Sequence, residues 1–354
     1  MSVKSSSSIV GKNSGAFFVA FAAVLWSLDG IVRAGLRNPS SSLFMPSINV
    51  VFWEHFLGFL LILPFAIWKR KELAKLNLKD WAIFAAIGLF ASVLGTLFYT
   101  AALGQIFFVS FSVVVLLQKL QPIWAILSAR LILKEKLPPR FVIWALIALF
   151  AAFLISFKDL KVDLNTGNGT LLAAIFGVLA SIFWGLGTTF GKLLLNKVGS
   201  ITATSIRFGF GTIFSFILTF LLAWFFEPLS KILSIPLGAS SVNLGLSAGQ
   251  FQSLMIVVLV TGLVAMVIYY YGLKNTQAKI ATLCELMWPA SALVIDMFYD
   301  IYGQKFGFRP DIFSWSQVFG IVLLLISVYF ISRTEKISEN EGHTIDLEVG
   351  SEVK

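Results

Sequence analysis

Ile321-Val322-Leu323-Leu324-Leu325-Ile326-Ser327-Val328-Tyr329-Phe330-Ile331 is apolar at almost every position and does not alternate. A strand of a transmembrane barrel alternates lipid-facing and lumen-facing positions over about ten residues. A continuous run must pair its backbone groups within itself, which in hydrocarbon means a helix. With its flanks, residues 313–333, this run is long enough to cross a hydrocarbon core of about 30 Å. Nine further runs read the same way: 15–36, 48–68, 81–103, 108–133, 138–157, 169–195, 199–226, 251–273 and 277–302. The chain of 354 residues is 58% hydrophobic and 13% charged, whereas soluble domains carry about 25% charged residues. Too little polar surface exists for a soluble globule. The expected fold class is an all-α polytopic membrane protein with ten transmembrane helices.

The first run follows Lys4 and Lys12, as a signal peptide would, but it continues to Val32 without a clean cleavage site and reads as a retained helix. The net charge of +9 is distributed by topology. Lys69, Arg70, Lys71, Lys75, Lys79, Lys134, Lys136, Arg140, Lys192 and Lys197 fall on the N-terminal side of the bundle. Fewer basic residues (Arg33, Arg37, Lys158, Lys161, Lys231, Lys305 and Arg309) are assigned to the other side. The positive-inside rule then puts both termini in the cytoplasm of a cell-membrane protein. The basic charge is thus a topology signal and does not call for nucleic acid as a partner. Cys284, His55 and His343 are the whole complement of cysteine and histidine, so no disulfide framework, metal site or cofactor is expected. Walker A, dinucleotide-binding, zinc-hydrolase and nucleophile-elbow motifs are missing, so no catalytic residues are assigned and an enzyme is not expected.

The second half echoes the first. Leu25-Trp26-Ser27 matches Phe183-Trp184-Gly185, Glu54 and Gly58 match Arg207 and Gly211, and the stretch from Phe98 to Leu103 matches the one ending at Tyr269-Tyr270-Tyr271-Gly272-Leu273. Each of the latter precedes a helix with a proline, Pro122 or Pro289. Five helices per half is odd, so the halves enter the membrane from opposite sides and form an inverted repeat. That architecture is typical of secondary transporters, with the site near the midplane.

With its helix-one tryptophans, tyrosine-containing third-helix endings and fourth-helix prolines, the chain resembles the EamA-type members of the drug/metabolite transporter superfamily. Lys134-Glu135-Lys136-Leu137 is similar to that family's Gly-Glu-Arg-Leu turn, with lysine in place of glycine. The resemblance implies two EamA-like repeats, 15–157 and 169–333. A cytoplasmic tail at 1–14, an outside linker at 158–168 and a disordered cytoplasmic tail at 334–354 complete the expected organisation. It also implies secondary transport of small metabolites, commonly export. The alternatives are a receptor, scaffold or channel, and an intramembrane enzyme.

Charges inside the spans mark the expected site, because an ionisable group at the bilayer centre costs about 2.5–3.5 kcal/mol on insertion scales. Lys119, flanked by Gln118 and Gln121, and Glu285 occupy pseudo-equivalent helices. They read either as a pair that an amino-acid-like substrate splits or as a static ion pair. Arg130 shares a face with Lys119, and Asp296 with Glu285. Arg207 reads as an anion-binding group or as the partner of Glu54 or Asp29. Asp29 beside Arg33 reads as a local interfacial salt bridge. Glu285, Glu54 and His55 are the candidates for a coupled proton; Glu54 also reads as bonding a neighbouring helix, and His55 as a buried, satisfied or interfacial histidine. Trp26, Trp184, Tyr99, Tyr270 and Trp288 read as cavity lining or as helix packing, and Pro122 and Pro289 as hinges or plain kinks. Gly185-Leu186-Gly187 reads as a site of close helix packing. The oligomeric state is left open.

Overall fold

The computed structural model describes residues 14–104, 118–160, 168–226, 244–300, 305–307 and 314–351. The helices are α1 (Ser14–Arg37), α2 (Ser47–Trp68), α3 (Leu78–Leu103), α4 (Gln121–Ile132), α5 (Pro139–Ser156), α6 (Asn168–Leu195), α7 (Ser200–Leu221), α8 (Ala248–Lys274), α9a (Ala278–Cys284), α9b (Met287–Asp296) and α10 (Trp315–Ser351). Among the described residues, eight helices are long and apolar enough to cross a membrane, and Pro139–Ile155 is a shorter apolar helix. The expected first part of the fourth span, 108–117, most of the 158–168 linker and the turn at 302–304 lie outside the described residues. One two-residue antiparallel pair, Tyr299–Asp300 with Lys305–Phe306, follows α9b. The segment after Thr334, expected to be disordered, continues α10 to Ser351. Extending an existing helix costs far less than nucleating one.

The two halves are interleaved. The main contacts of α1 are with α8, and those of α6 are with α3; α9b packs on α1 as α4 packs on α6; α2 pairs with α7, and α5 with α10. Exchanging the halves maps this set of contacts onto itself, as an inverted repeat requires. Large apolar side chains such as Leu131 (77% exposed) point outward, where lipid replaces water. Helix association then depends on close packing of small residues. Gly15 and Gly272 show this most clearly: a Cβ on Gly15 would lie 2.6 Å from the Asn275 carbonyl oxygen, and one on Gly272 would lie 2.7 Å from that of Gly15. The expected packing role of Gly185 is met, since a Cβ there would lie 2.8 Å from Trp124 Cβ on α4.

Two departures from regular helix recur in both halves. Residues Ile87–Leu94 of α3 and Val257–Val264 of α8 are wound as π-helix, and they coincide when Leu103 is aligned with Leu273. The fourth and ninth helices each tighten into a turn, at Lys119-Leu120 and Glu285-Leu286, before continuing. Pro122 and Pro289 sit in the first turn of the continuation. There the missing proline N–H has no intrahelical partner to lose. The break therefore falls at the charged residue, three or four positions before the proline, rather than at the proline itself.

At the N-terminal side of the bundle, carboxylates of the first half grip the second. Glu72 accepts hydrogen bonds from Gly199 N–H (2.7 Å) and the Thr202 hydroxyl (2.8 Å) at the start of α7. Glu135 accepts from the N–H groups of Ala278 (2.8 Å) and Lys279 (3.1 Å) at the start of α9a. Lys197 pairs with Asp80 at 2.6 Å. Desolvation pushes the Glu72 carboxyl upward, but the bonds from Gly199 and Thr202, with Lys69 and Lys75 nearby, outweigh it and hold the group below its ordinary value. A lowered folded-state value stabilises at neutral pH and the contribution disappears as pH falls through it. Glu72→Gln is expected to lower the thermal midpoint at neutral pH and to converge with wild type as pH falls, flattening the acid limb of the pH–stability curve. An unchanged acid limb would refute this.

Lys134 has φ 57°, the left-handed conformation that glycine adopts without steric cost. This accounts for the glycine at that position in the turn the sequence resembles. Lys134→Gly is expected to raise stability by about 0.5–1 kcal/mol, read as a higher melting temperature in detergent. A lower one would contradict the argument.

Candidate functional site

An open cavity lies between the halves. Its walls come from the ends of α1 and α3, the start of α2, α6, α7, α8 and both helix breaks. Three tryptophans form its aromatic surfaces, and backbone carbonyls hold their indole N–H groups. Trp26 on α1 donates to Thr261 O at 2.9 Å, Trp184 on α6 to Ala91 O at 3.0 Å, and Trp288 on α9b to Trp26 O at 2.9 Å. Ala91 and Thr261 lie at matching positions of the two π-helical segments. Such segments displace carbonyls from the regular hydrogen-bond ladder, and the helix-one tryptophan of the opposite half occupies one in each. With their N–H groups satisfied, the indoles offer π-faces to the cavity. Tyr99 packs against Trp184 (centroids 5.2 Å apart) and Trp288 (6.3 Å), and Tyr269 packs against Trp26 (5.0 Å).

The expected local Asp29–Arg33 salt bridge forms, and it is buried inside the bundle. Arg33 is 2% exposed and bonds both oxygens of Asp29 at 2.8 Å, Glu54 Oε2 at 3.1 Å and the Thr100 hydroxyl at 3.1 Å. Thr261 donates to the same Asp29 at 3.0 Å. Arg37 is also buried, and its guanidinium donates to the Met45 carbonyl. The assignment of Arg33 and Arg37 to an outer loop is therefore corrected: a planar fork facing two carboxylates is well paired only inside the bundle. Arg33 also takes the place expected for Arg207 as the partner of Glu54 and Asp29. Arg207 donates instead to the Tyr270 hydroxyl (3.3 Å) and weakly to Ala91 O (3.5 Å).

Lys119 and Glu285 both face the cavity, one from each helix break, but no ion pair joins them. The Lys119 ammonium sits 3.6 Å from the Trp288 ring centroid, a cation–π contact. Glu285 accepts from Gln121 (2.5 Å), Tyr269 (2.9 Å) and Thr188 (3.4 Å). Three neutral donors satisfy the carboxylate, so it does not need the lysine. The expected zwitterion-splitting pair is thus absent as a pair.

His55 lines the cavity beside Phe208, with Nδ1 2.8 Å from Val51 O. Donation to that carbonyl assigns the proton to Nδ1. Gln118, Gln121, Pro122 and Glu54 also line the cavity. Tyr270 and Pro289 are not among its lining residues. Tyr270 is buried behind Arg207, and Tyr269 reaches the cavity in its place. Neighbours on a helix point about 100° apart, and the Leu103–Leu273 alignment pairs Tyr99 with Tyr269. The repeat register was the signal that could have selected it. Sequence reading also missed Thr188, Thr261 and Thr282, which carry no charge or periodicity to mark them.

Comparison with known proteins follows the same lines. The model of the EamA-like transporter family matches residues 13–157 and 171–333, one match per half. A protein of Fusobacterium nucleatum subsp. nucleatum named riboflavin transporter ImpX is 33% identical over 320 residues, covering 90% of this chain and 97% of the relative. A crystal structure with 14% sequence identity superposes with a TM-score of 0.62, covering 90% of this chain and 96% of that one, and so shares the fold. The chain is an integral multi-pass membrane protein that belongs to the EamA-like transporter family.

Proposed function

We propose that this membrane transporter carries riboflavin by alternating access. The observation that carries the reading is the aromatic cavity. Trp26, Tyr99, Trp184, Tyr269 and Trp288 present flat surfaces suited to a planar tricyclic ring, and ring stacking contributes about 0.5–1.5 kcal/mol per contact beyond area burial. Its formal charges also balance, with Arg33, Lys119 and Arg207 against Asp29, Glu54 and Glu285. A balanced, polar-rimmed aromatic site suits an uncharged ring with a hydroxylated chain better than an ion. The name of the Fusobacterium relative supports the same ligand. The amino-acid-like substrate expected from the sequence rested on the opposite charges of Lys119 and Glu285, which no ion pair joins, and on the family resemblance. The turns before Pro122 and Pro289 would serve as hinges between the cavity and the N-terminal-side closure, and the basic loops support placing both termini in the cytoplasm.

The test is counterflow. Purified protein in liposomes preloaded with riboflavin should accumulate labelled riboflavin from outside, saturably and above protein-free vesicles. Absence of saturable exchange would sink the reading. Proton coupling through Glu285 is supported by its place on the cavity wall without a bonded cation and by the Tyr269 and Thr188 hydroxyls, which can rotate to accept from the carboxyl when it carries a proton. Glu285→Gln is expected to retain counterflow while net uptake loses its dependence on a pH gradient. Retained gradient dependence would exclude Glu285, leaving Glu54 and His55 as the coupling candidates.

A further inference from the structure

Three polar atoms on the cavity wall are buried and have no hydrogen-bond partner: Tyr99 Oη, Gln118 Oε1 and Thr282 Oγ1. Their side chains are 3%, 8% and 0% exposed. Buried polar atoms are almost always paired, and leaving one unpaired destabilises a protein by about 1–3 kcal/mol. All three belong to residues that line the same cavity, which points to a ligand that completes them.

The residue types define the chemistry required. A glutamine amide presents an acceptor beside a donor, the complement of a ring edge that carries N–H beside C=O. Tyrosine and threonine hydroxyls can each donate to a carbonyl. Gln118 lies at the start of the helix break, one residue before Lys119, and Tyr99 packs on the Trp288 ring that Lys119 also covers. Thr282 lies one turn before Glu285, on the opposite break. Polar groups from both breaks thus converge beside the aromatic surface.

Resting on the riboflavin reading, we infer that Gln118 is the specificity-determining residue, its amide pairing with the cyclic imide edge of the substrate ring while Tyr99 and Thr282 donate to the flanking carbonyls. The recognised class is a planar heteroaromatic ring bearing an N–H between two carbonyl groups. A ring of the same size without that edge leaves the three atoms unpaired. Sites built to bond a polar group reject analogues lacking it far more strongly than apolar pockets reject a missing methylene.

The experiment measures binding of riboflavin and of 3-methylriboflavin, whose imide nitrogen carries no proton, to purified protein by quenching of flavin fluorescence. Wild type is expected to bind 3-methylriboflavin about ten- to a hundred-fold more weakly than riboflavin. Gln118→Ala is expected to weaken riboflavin binding by a similar factor and to bind the two flavins alike. The comparison of two ligands on wild type needs no variant to fold. If wild type binds both flavins equally, or Gln118→Ala keeps the full preference, the inference is overturned and the riboflavin reading stands. If wild type binds neither flavin, the riboflavin reading itself fails and the inference falls with it.

Discussion

Arg33→Met is expected to destabilise the protein by about 3–5 kcal/mol, the cost of leaving buried charge uncompensated. The substitution leaves Asp29 and Glu54 facing each other without the guanidinium that now bonds three of their oxygens. It also removes the donor to Thr100. Part of the loss should return in the triple variant Asp29→Asn, Glu54→Gln, Arg33→Met, because the carboxylates are then replaced by neutral amides of the same shape. The measurement is the detergent melting temperature of the single and triple variants. A single variant as stable as wild type, or no recovery in the triple, would show that the triad is not a closed electrostatic unit. The design also separates packing from charge, since methionine retains most of the arginine stem.

Trp288→Ala is expected to abolish measurable transport while leaving a folded protein of reduced stability. Trp288 links several features: its N–H bonds Trp26 O, its ring edge meets Tyr99, and its face carries Lys119. Large-to-small substitutions of buried tryptophan cost about 3–5 kcal/mol, and aromatic anchors of this kind dominate binding energies. Trp288→Phe is the informative companion. It keeps an aromatic face and loses the N–H bond to α1, so it is expected to retain transport at reduced affinity. Saturable riboflavin exchange at wild-type affinity in Trp288→Ala would remove this ring from the binding surface. Loss in both variants with normal melting behaviour would assign the essential role to the α1–α9b hydrogen bond.

Much of the architecture was legible because lipid imposes a simple rule. Apolar runs such as Ile321 to Ile331 must be helices, and ten of them with matching landmarks imply a repeat. Trp26 and Trp184 were visible as a matched pair, as were the charged residues ahead of Pro122 and Pro289. What the matched tryptophans do was not visible. Each bonds a carbonyl in the other half's third helix, and nothing in the local sequences of Ile87–Leu94 or Val257–Val264 marks them as π-helical.

Charge partners were harder still. Arg33 lies close enough to the end of its run to pass for a loop cation. Only the approach of α2 and α3 brings Glu54 and Thr100 to it. Lys119 and Glu285 were singled out as charges within spans and both line the cavity, but opposite sign suggested a pair where the bundle supplies each with a different partner. Tyr269 and Tyr270 are adjacent and chemically identical, and their separation into cavity wall and buried support depends on a rotation of one helical step.

The sequence by itself determined that this chain lies in a membrane, that it crosses as helices, and that its halves are related by inversion. Those properties follow from apolar run length, basic loop bias and repeated landmarks, all of which are local or additive along the chain. Only the tertiary structure decided which carboxylates Arg33 satisfies, that Lys119 rests on an indole, and which buried polar atoms are left without a partner. Hydrogen-bond partnership depends on distances of a few ångströms between residues far apart in the chain, and it is the interleaving of the two halves that sets those distances.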